Sequence, residues 1–148
     1  MTSGHPHETA RDFMNPGVEC IAAHETLDRA AQMMRDMQVG ALPICGDDDR
    51  LKGIITDRDI VVKCIAEGRD PSQVTAAQLA TGLVWVAADA SIEEALTRME
   101  ENQIKRLPVI ENHRIIGMIT EADLAKHLPD DKLAEFVHRI YAPETAFE

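Results

Sequence analysis

The chain repeats itself, and this constrains its fold more than any other feature. Thr26-Leu-Asp-Arg-Ala-Ala-Gln-Met-Met matches Ser91-Ile-Glu-Glu-Ala-Leu-Thr-Arg-Met at an offset of 65 residues. Gln38-Val-Gly-Ala-Leu-Pro-Ile-Cys matches Gln103-Ile-Lys-Arg-Leu-Pro-Val-Ile at the same offset, and Gly53-Ile-Ile-Thr-Asp-Arg-Asp matches Gly117-Met-Ile-Thr-Glu-Ala-Asp at an offset of 64. The lost residue falls between the last two blocks, where Gly46-Asp-Asp-Asp-Arg50 stands against Glu111-Asn-His-Arg114. Both are polar turn sequences, and turns absorb length changes that strands do not. A duplicated unit is read twice, so each copy checks the other.

Each copy has the same pattern. Leu27, Ala30, Ala31 and Met34 recur at helical spacing, as do Ile92, Ala95, Leu96 and Met99, which predicts an amphipathic helix of about three turns in each repeat. Thr26 and Ser91 are natural N-caps, and Ser91 with Glu94 reads as a capping box. Strand-like runs over 18–22 and 83–87 precede the helices; 41–45 with 51–56, and 107–110 with 115–120, follow them as hairpins. A second helix starts after Thr56, carries Ile60, Val61, Cys64 and Ile65, and stops at Gly68; its counterpart starts at Thr120 and fades near Pro129. Short helices over 9–14 and 75–80 introduce the repeats. The segment 132–141 aligns Leu133, Phe136, Val137 and Ile140 on one face, fit to pack on the body or on a partner subunit.

The expected fold class is therefore α/β in the broad α+β sense, with each repeat built as strand, helix, hairpin, helix. Repeat one spans 9–68, a polar connector 69–74, repeat two 75–128 and a helical tail 129–148. A chain of 148 residues holds one core or two small ones, not two domains of ordinary size. With 3% aromatic residues, the interior must be built from aliphatic side chains and Met.

Charge removes two function classes. A net charge of −11 opposes nucleic acid, whose binding rests on clustered Lys and Arg, and anionic membrane surfaces. No apolar run approaches the roughly 18 to 20 residues of a membrane span, and the first ten residues lack a basic start and apolar stretch, so a cytoplasmic location is the default. Catalysis has no motif: no nucleophile elbow, Walker loop, dinucleotide fingerprint or zinc-protease helix is found, and the chain reads as a non-enzyme.

The Leu-Pro-Ile strand at Leu42-Pro43-Ile44, its counterpart Leu107-Pro108-Val109, and Gly-x-x-Thr-x-x-Asp at Gly53 to Asp59 and Gly117 to Asp123 together resemble the cystathionine-beta-synthase-type (CBS) domain family, over nearly the whole chain. Within that family, the pattern from Cys45 to Leu51 and the overall length are similar to the stand-alone actinobacterial hypoxic response proteins. The resemblance implies a pseudo-twofold pair of domains forming a regulatory module, with clefts that bind AMP, ATP or a related adenosyl compound. It also implies a homodimer, no required cofactor, and action in trans on a separate effector protein.

The resemblance assigns ribose hydroxyls to Asp59 and Asp123 and phosphate to Thr56 and Thr120. Lys105, Arg106 and Arg58 are the cations that phosphate would meet, and only repeat two has such a pair before its Leu-Pro strand, where repeat one has Gly40-Ala41. One stronger and one weaker site are expected, and the sequence leaves open whether Lys105 and Arg106 serve Asp59 or Asp123. A Thr-x-x-Asp at a helix start is equally a capping device worth about 1 kcal/mol without any ligand.

Three cysteines without an export signal are commonly reduced core residues. Yet Cys20 and Cys45 fall on strands that a strand-helix-strand unit sets side by side, at positions held by Trp85 and Ile110 in repeat two. Two buried thiols, a redox-formed bridge, and a zinc site drawing on His24 or His113 remain open. No tight Cys-x-x-Cys or His-x-x-x-His spacing supports the last. Cys64 reads as core, and His5 and His7 belong to an N-terminal tail without a motif.

Overall fold

The computed structural model describes residues 8–80 and 83–141. In repeat one, helix α2 (Leu27–Met37) buries Leu27, Ala30 and Met34 and ends on Gln38, whose left-handed backbone (φ 59°) turns its N–H to the Met34 carbonyl. In repeat two, α5 (Ile92–Asn102) buries Ile92, Ala95, Leu96 and Met99 and ends on Gln103 (φ 54°). The apolar stripes thus face inward as their spacing requires, except that Ala31 is exposed. The Ser91 cap is half of the expected box. Its hydroxyl accepts the Glu94 N–H at 3.1 Å, but the Glu94 carboxylate turns to Arg98 at 3.2 Å.

The hairpins form with the expected pairing. β3 (Ala41–Cys45) runs antiparallel to β4 (Leu51–Thr56), with Ala41 opposite Thr56. β6 (Arg106–Glu111) runs antiparallel to β7 (Arg114–Thr120), with Arg106 opposite Thr120. The runs expected over 18–22 and 83–87 pair as strands over only two residues each, β2 (Ile21–Ala22) parallel to β3 and β5 (Val86–Ala87) parallel to β6. A further strand, β1 (Asn15–Pro16), pairs antiparallel with β7. One sheet has the order β2-β3-β4, the other β1-β7-β6-β5.

The compact units are not the contiguous repeats. One contains residues 19–83; the other contains residues up to Val18 together with those from Val84 on. Helix α1 (Ala10–Phe13) therefore sits with repeat two, and α4 (Ala76–Leu79) with repeat one. The cause lies in helix starts, whose first N–H groups lack intrahelical partners. Ala10 N–H bonds the Ala90 carbonyl and Ile92 N–H the Glu8 carbonyl; in the other unit Leu27 N–H bonds the Val74 carbonyl and Ala76 N–H the Glu25 carbonyl, all at 2.8–3.1 Å. Each short helix and each long helix satisfy one another. Phe13 and Ala10 then enter one core, and Val74, Ala76 and Leu79 the other.

The second helix of repeat one is not uniform. After α3 (Asp57–Ile60) the chain continues as a π-helical turn over Val61–Ile65, with Ala66 N–H reaching the Val61 carbonyl at 2.8 Å. Ile60 and Cys64 are buried, whereas Val61 and Ile65, expected on the same face, are 57% and 52% exposed. They lie one position further round the helix than the pair that meets the core. Gly68 ends the segment at φ +75°. In repeat two the counterpart is α6 (Glu121–His127). The last helix, α7 (Asp130–Tyr141), packs on its own unit through Phe136 and Ile140, leaving Val137 at 41% exposure. Among the described residues no helix is long and apolar enough to cross a membrane.

Candidate functional site

Both Thr-x-x-Asp corners form capping boxes at the strand-to-helix junctions, but their carboxylates end in different surroundings. In repeat one, the Asp59 N–H donates to Thr56 Oγ1 at 3.1 Å and the Thr56 N–H to Asp59 Oδ2 at 2.9 Å. Among the described residues the other oxygen, Oδ1, meets only the Lys63 ammonium at 3.4 Å, an ion pair whose lysine side chain is 44% exposed and whose carboxylate is 16% exposed. Arg58 lies exposed on the same first turn, its N–H donating to Asp57 Oδ1.

In repeat two the carboxylate is enclosed. Asp123 Oδ2 accepts the Thr120 N–H at 2.8 Å and the Thr120 hydroxyl at 3.0 Å. Oδ1 accepts the side-chain amide of Asn15 at 2.7 Å. At 6% exposure Asp123 is the one buried charged side chain among the described residues, and its partners match its burial, as a desolvated carboxylate requires. Asn15 arrives on β1 because Gly117 carries no side chain: a Cβ there would stand 2.8 Å from the Asn15 carbonyl oxygen. The glycine of the repeated motif thus admits the strand that closes its own aspartate.

In repeat two, Arg106 opens β6 directly across from Thr120. In repeat one the facing residue is Ala41, across from Thr56. The Lys105 ammonium lies 4.4 Å from the centroid of the Tyr141 ring, within cation–π range. The Tyr141 hydroxyl in turn donates to Glu121 Oε2 at 3.1 Å. Asn15 and Tyr141 had no sequence signal tying them to the corner: Asn-Pro reads only as a turn, and Tyr141 only as the end of an amphipathic helix.

Cys20 and Cys45 form a disulfide with their Cα atoms 5.8 Å apart, linking the segment that leads into β2 to the end of β3, where Ala22 pairs with Cys45. Their sulfurs are therefore not thiolate ligands in this state. His24 and His113 are exposed and fall in different units, and among the described residues no group of three or more His, Cys, Asp or Glu is placed to hold a metal ion. The donor set seen here does not fit a closed zinc site. His5 and His7 lie outside the described residues. Cys64 is buried, its thiol 3.4 Å from the Arg69 carbonyl.

Comparison with known proteins gives two successive matches to the CBS domain, over residues 10–65 and 76–130. Hypoxic response protein 1 of Mycobacterium tuberculosis is 56% identical over 136 residues, covering 91% of this chain and 95% of that protein. A crystal structure of hypoxic response protein I with two coordinated zinc ions superposes with a TM-score of 0.77 at 60% identity, covering 82% of this chain and 99% of that one. Homoserine O-acetyltransferase of Methanosphaerula palustris is 35% identical over 121 residues, which are 81% of this chain but 24% of the enzyme. The similarity to that enzyme is confined to a minor part of its length.

Proposed function

The chain belongs to the CBS-domain family, and on that premise we propose that it is a non-catalytic regulatory module that binds an adenine nucleotide at its Thr56–Asp59 corner. AMP, ATP or a related adenosyl compound is the ligand class. The observation that carries the reading is the state of Asp59: one carboxylate oxygen is spent on the helix cap, and among the described residues the other meets only a half-exposed lysine. The lysine side chain is 44% exposed and the pair is a single 3.4 Å contact, so a ribose hydroxyl can displace Lys63 and leave its ammonium, with Arg58, for phosphate. Thr56 is the neighbouring hydroxyl. The module acts in trans, as a homodimer, on a partner whose affinity depends on occupancy.

Thermal shift and isothermal titration with AMP, ATP and S-adenosylmethionine test the reading, because a ligand of the folded state raises its melting temperature. The expected result is a shift that Asp59→Ala abolishes. A nucleotide-induced shift of undiminished size in Asp59→Ala rules this corner out.

A second reading is favoured by the Cys20–Cys45 bridge: a redox-responsive module whose bridge opens under reducing conditions and frees two thiols. The zinc ions of the similar crystal structure make zinc the metal to try. Reduced protein should then gain a zinc-dependent thermal shift that oxidised protein and Cys20→Ser both lack; equal shifts in all three set this reading aside.

A further inference from the structure

The Thr120–Asp123 corner has its recognition groups already engaged from within the chain. A ribose presents two adjacent hydroxyl donors, and a carboxylate takes them with both oxygens. At Asp123 each oxygen has a donor: Oδ2 the Thr120 N–H and hydroxyl, Oδ1 the Asn15 amide at 2.7 Å, a charge-assisted bond shorter than a neutral one. A carboxylate oxygen has a second lone pair, but at 6% exposure solvent-side donors do not reach it. The neighbouring cation is held too, with the Lys105 ammonium over the Tyr141 ring and the Tyr141 hydroxyl on Glu121.

The two corners share their capping geometry, so capping alone does not account for the extra contacts. The Asn15 bond is an addition, brought by a strand two residues long and dependent on the bare Gly117 backbone. Asn15 itself is exposed, while its amide reaches the buried aspartate. The residue at the same distance after the other introducing helix is Thr81, which carries no amide and lies outside the described residues.

We propose that the repeat-two corner is self-occupied: Asn15 stands on Asp123 where a ribose hydroxyl would donate, Tyr141 retains Lys105, and the chain consequently takes one adenine nucleotide rather than two. Asn15 is thus the residue that sets the number of sites. The proposal rests on the nucleotide reading of the Thr56–Asp59 corner and adds to it a prediction about stoichiometry.

Isothermal titration of the full chain with AMP and with ATP tests it on five proteins: wild type, Asp59→Ala, Asn15→Ala, and Asn15→Ala combined with Asp59→Ala or with Asp123→Ala. The expected stoichiometries are one, none, two, one and one per chain. Asn15→Ser, with a side chain too short to span the gap, serves in place of Asn15→Ala should the latter not melt cooperatively. One nucleotide per chain in both wild type and Asn15→Ala overturns self-occupation and leaves the Asp59 reading standing. No binding by wild type with binding by Asn15→Ala, lost again on Asp123→Ala, supports self-occupation and overturns the Asp59 reading. Two sites in wild type, or none in any variant, overturns self-occupation.

Discussion

At the level of single residues the two corner aspartates do the same local work at different depths. Removing Asp59 deletes an N3 carboxylate that satisfies one backbone donor, so Asp59→Ala should cost about 1 kcal/mol. Asp123→Ala strips the same donor and also leaves the Asn15 amide and the Thr120 hydroxyl without their acceptor, and should cost about 1–3 kcal/mol. Equilibrium urea unfolding of both variants checks the order, and equal losses would mean that the Asn15 bond contributes nothing. Gly117→Ala should destabilise by a similar amount, about 1–3 kcal/mol, because its Cβ would press on Met14 Sδ and stand 2.8 Å from the Asn15 carbonyl oxygen, and the thioether can turn aside but the backbone cannot. The corners were legible in the sequence because Thr and Asp sit three residues apart and the cap is a local device. The Asn15 contact was not, since it joins residues 108 apart and depends on a missing side chain elsewhere in the strand.

Secondary-structure elements obey their patterns, but a pattern does not say how much of an apolar stripe is used. The spacing of Leu133, Phe136, Val137 and Ile140 announced an amphipathic α7, yet only Phe136 and Ile140 are fully buried and Val137 is left outside. Phe136→Ala should accordingly cost about 3–5 kcal/mol, while Val137→Ser should stay within about 0.5 kcal/mol; a large loss from the second would place Val137 in a contact that one chain does not make. The same distinction separates Ile60 and Cys64 from Val61 and Ile65 in the π-helical turn, where hydropathy alone treats all four alike. The bridge between the β2 approach and β3 was legible only as one of three outcomes, because parallel neighbouring strands bring two cysteines together without fixing their redox state. With its ends separated by 25 positions in sequence, the bridge should stabilise its unit by about 3 kcal/mol through the unfolded chain. Dithiothreitol should therefore lower the melting temperature of wild type by several degrees and leave Cys20→Ser unmoved.

For the whole chain, the internal repeat revealed the duplicated elements and their order, but it did not reveal which introducing helix completes which core. Thr9 and Thr75 open helices of similar composition, and nothing local tells either one which long helix it will pair with; the choice is made by backbone donors and acceptors distant in sequence. The consequence can be tested by cutting the chain in two ways. A fragment of residues 19–83 contains β2, α2, β3, β4, α3, the π-helical turn and α4, with Val74, Ala76 and Leu79 present in its core and the disulfide intact. A fragment of residues 9–68, cut where the sequence repeat suggests, keeps α1 without the helix start that pairs with it and loses those three core residues. Small domains have little surplus stability, so this loss should decide folding. The first fragment, kept oxidised, should show dispersed amide resonances and a cooperative melt; the second should show neither. If 9–68 folds as well as 19–83, the exchange of backbone bonds between helix starts does not define the folding unit, and the contiguous repeat does.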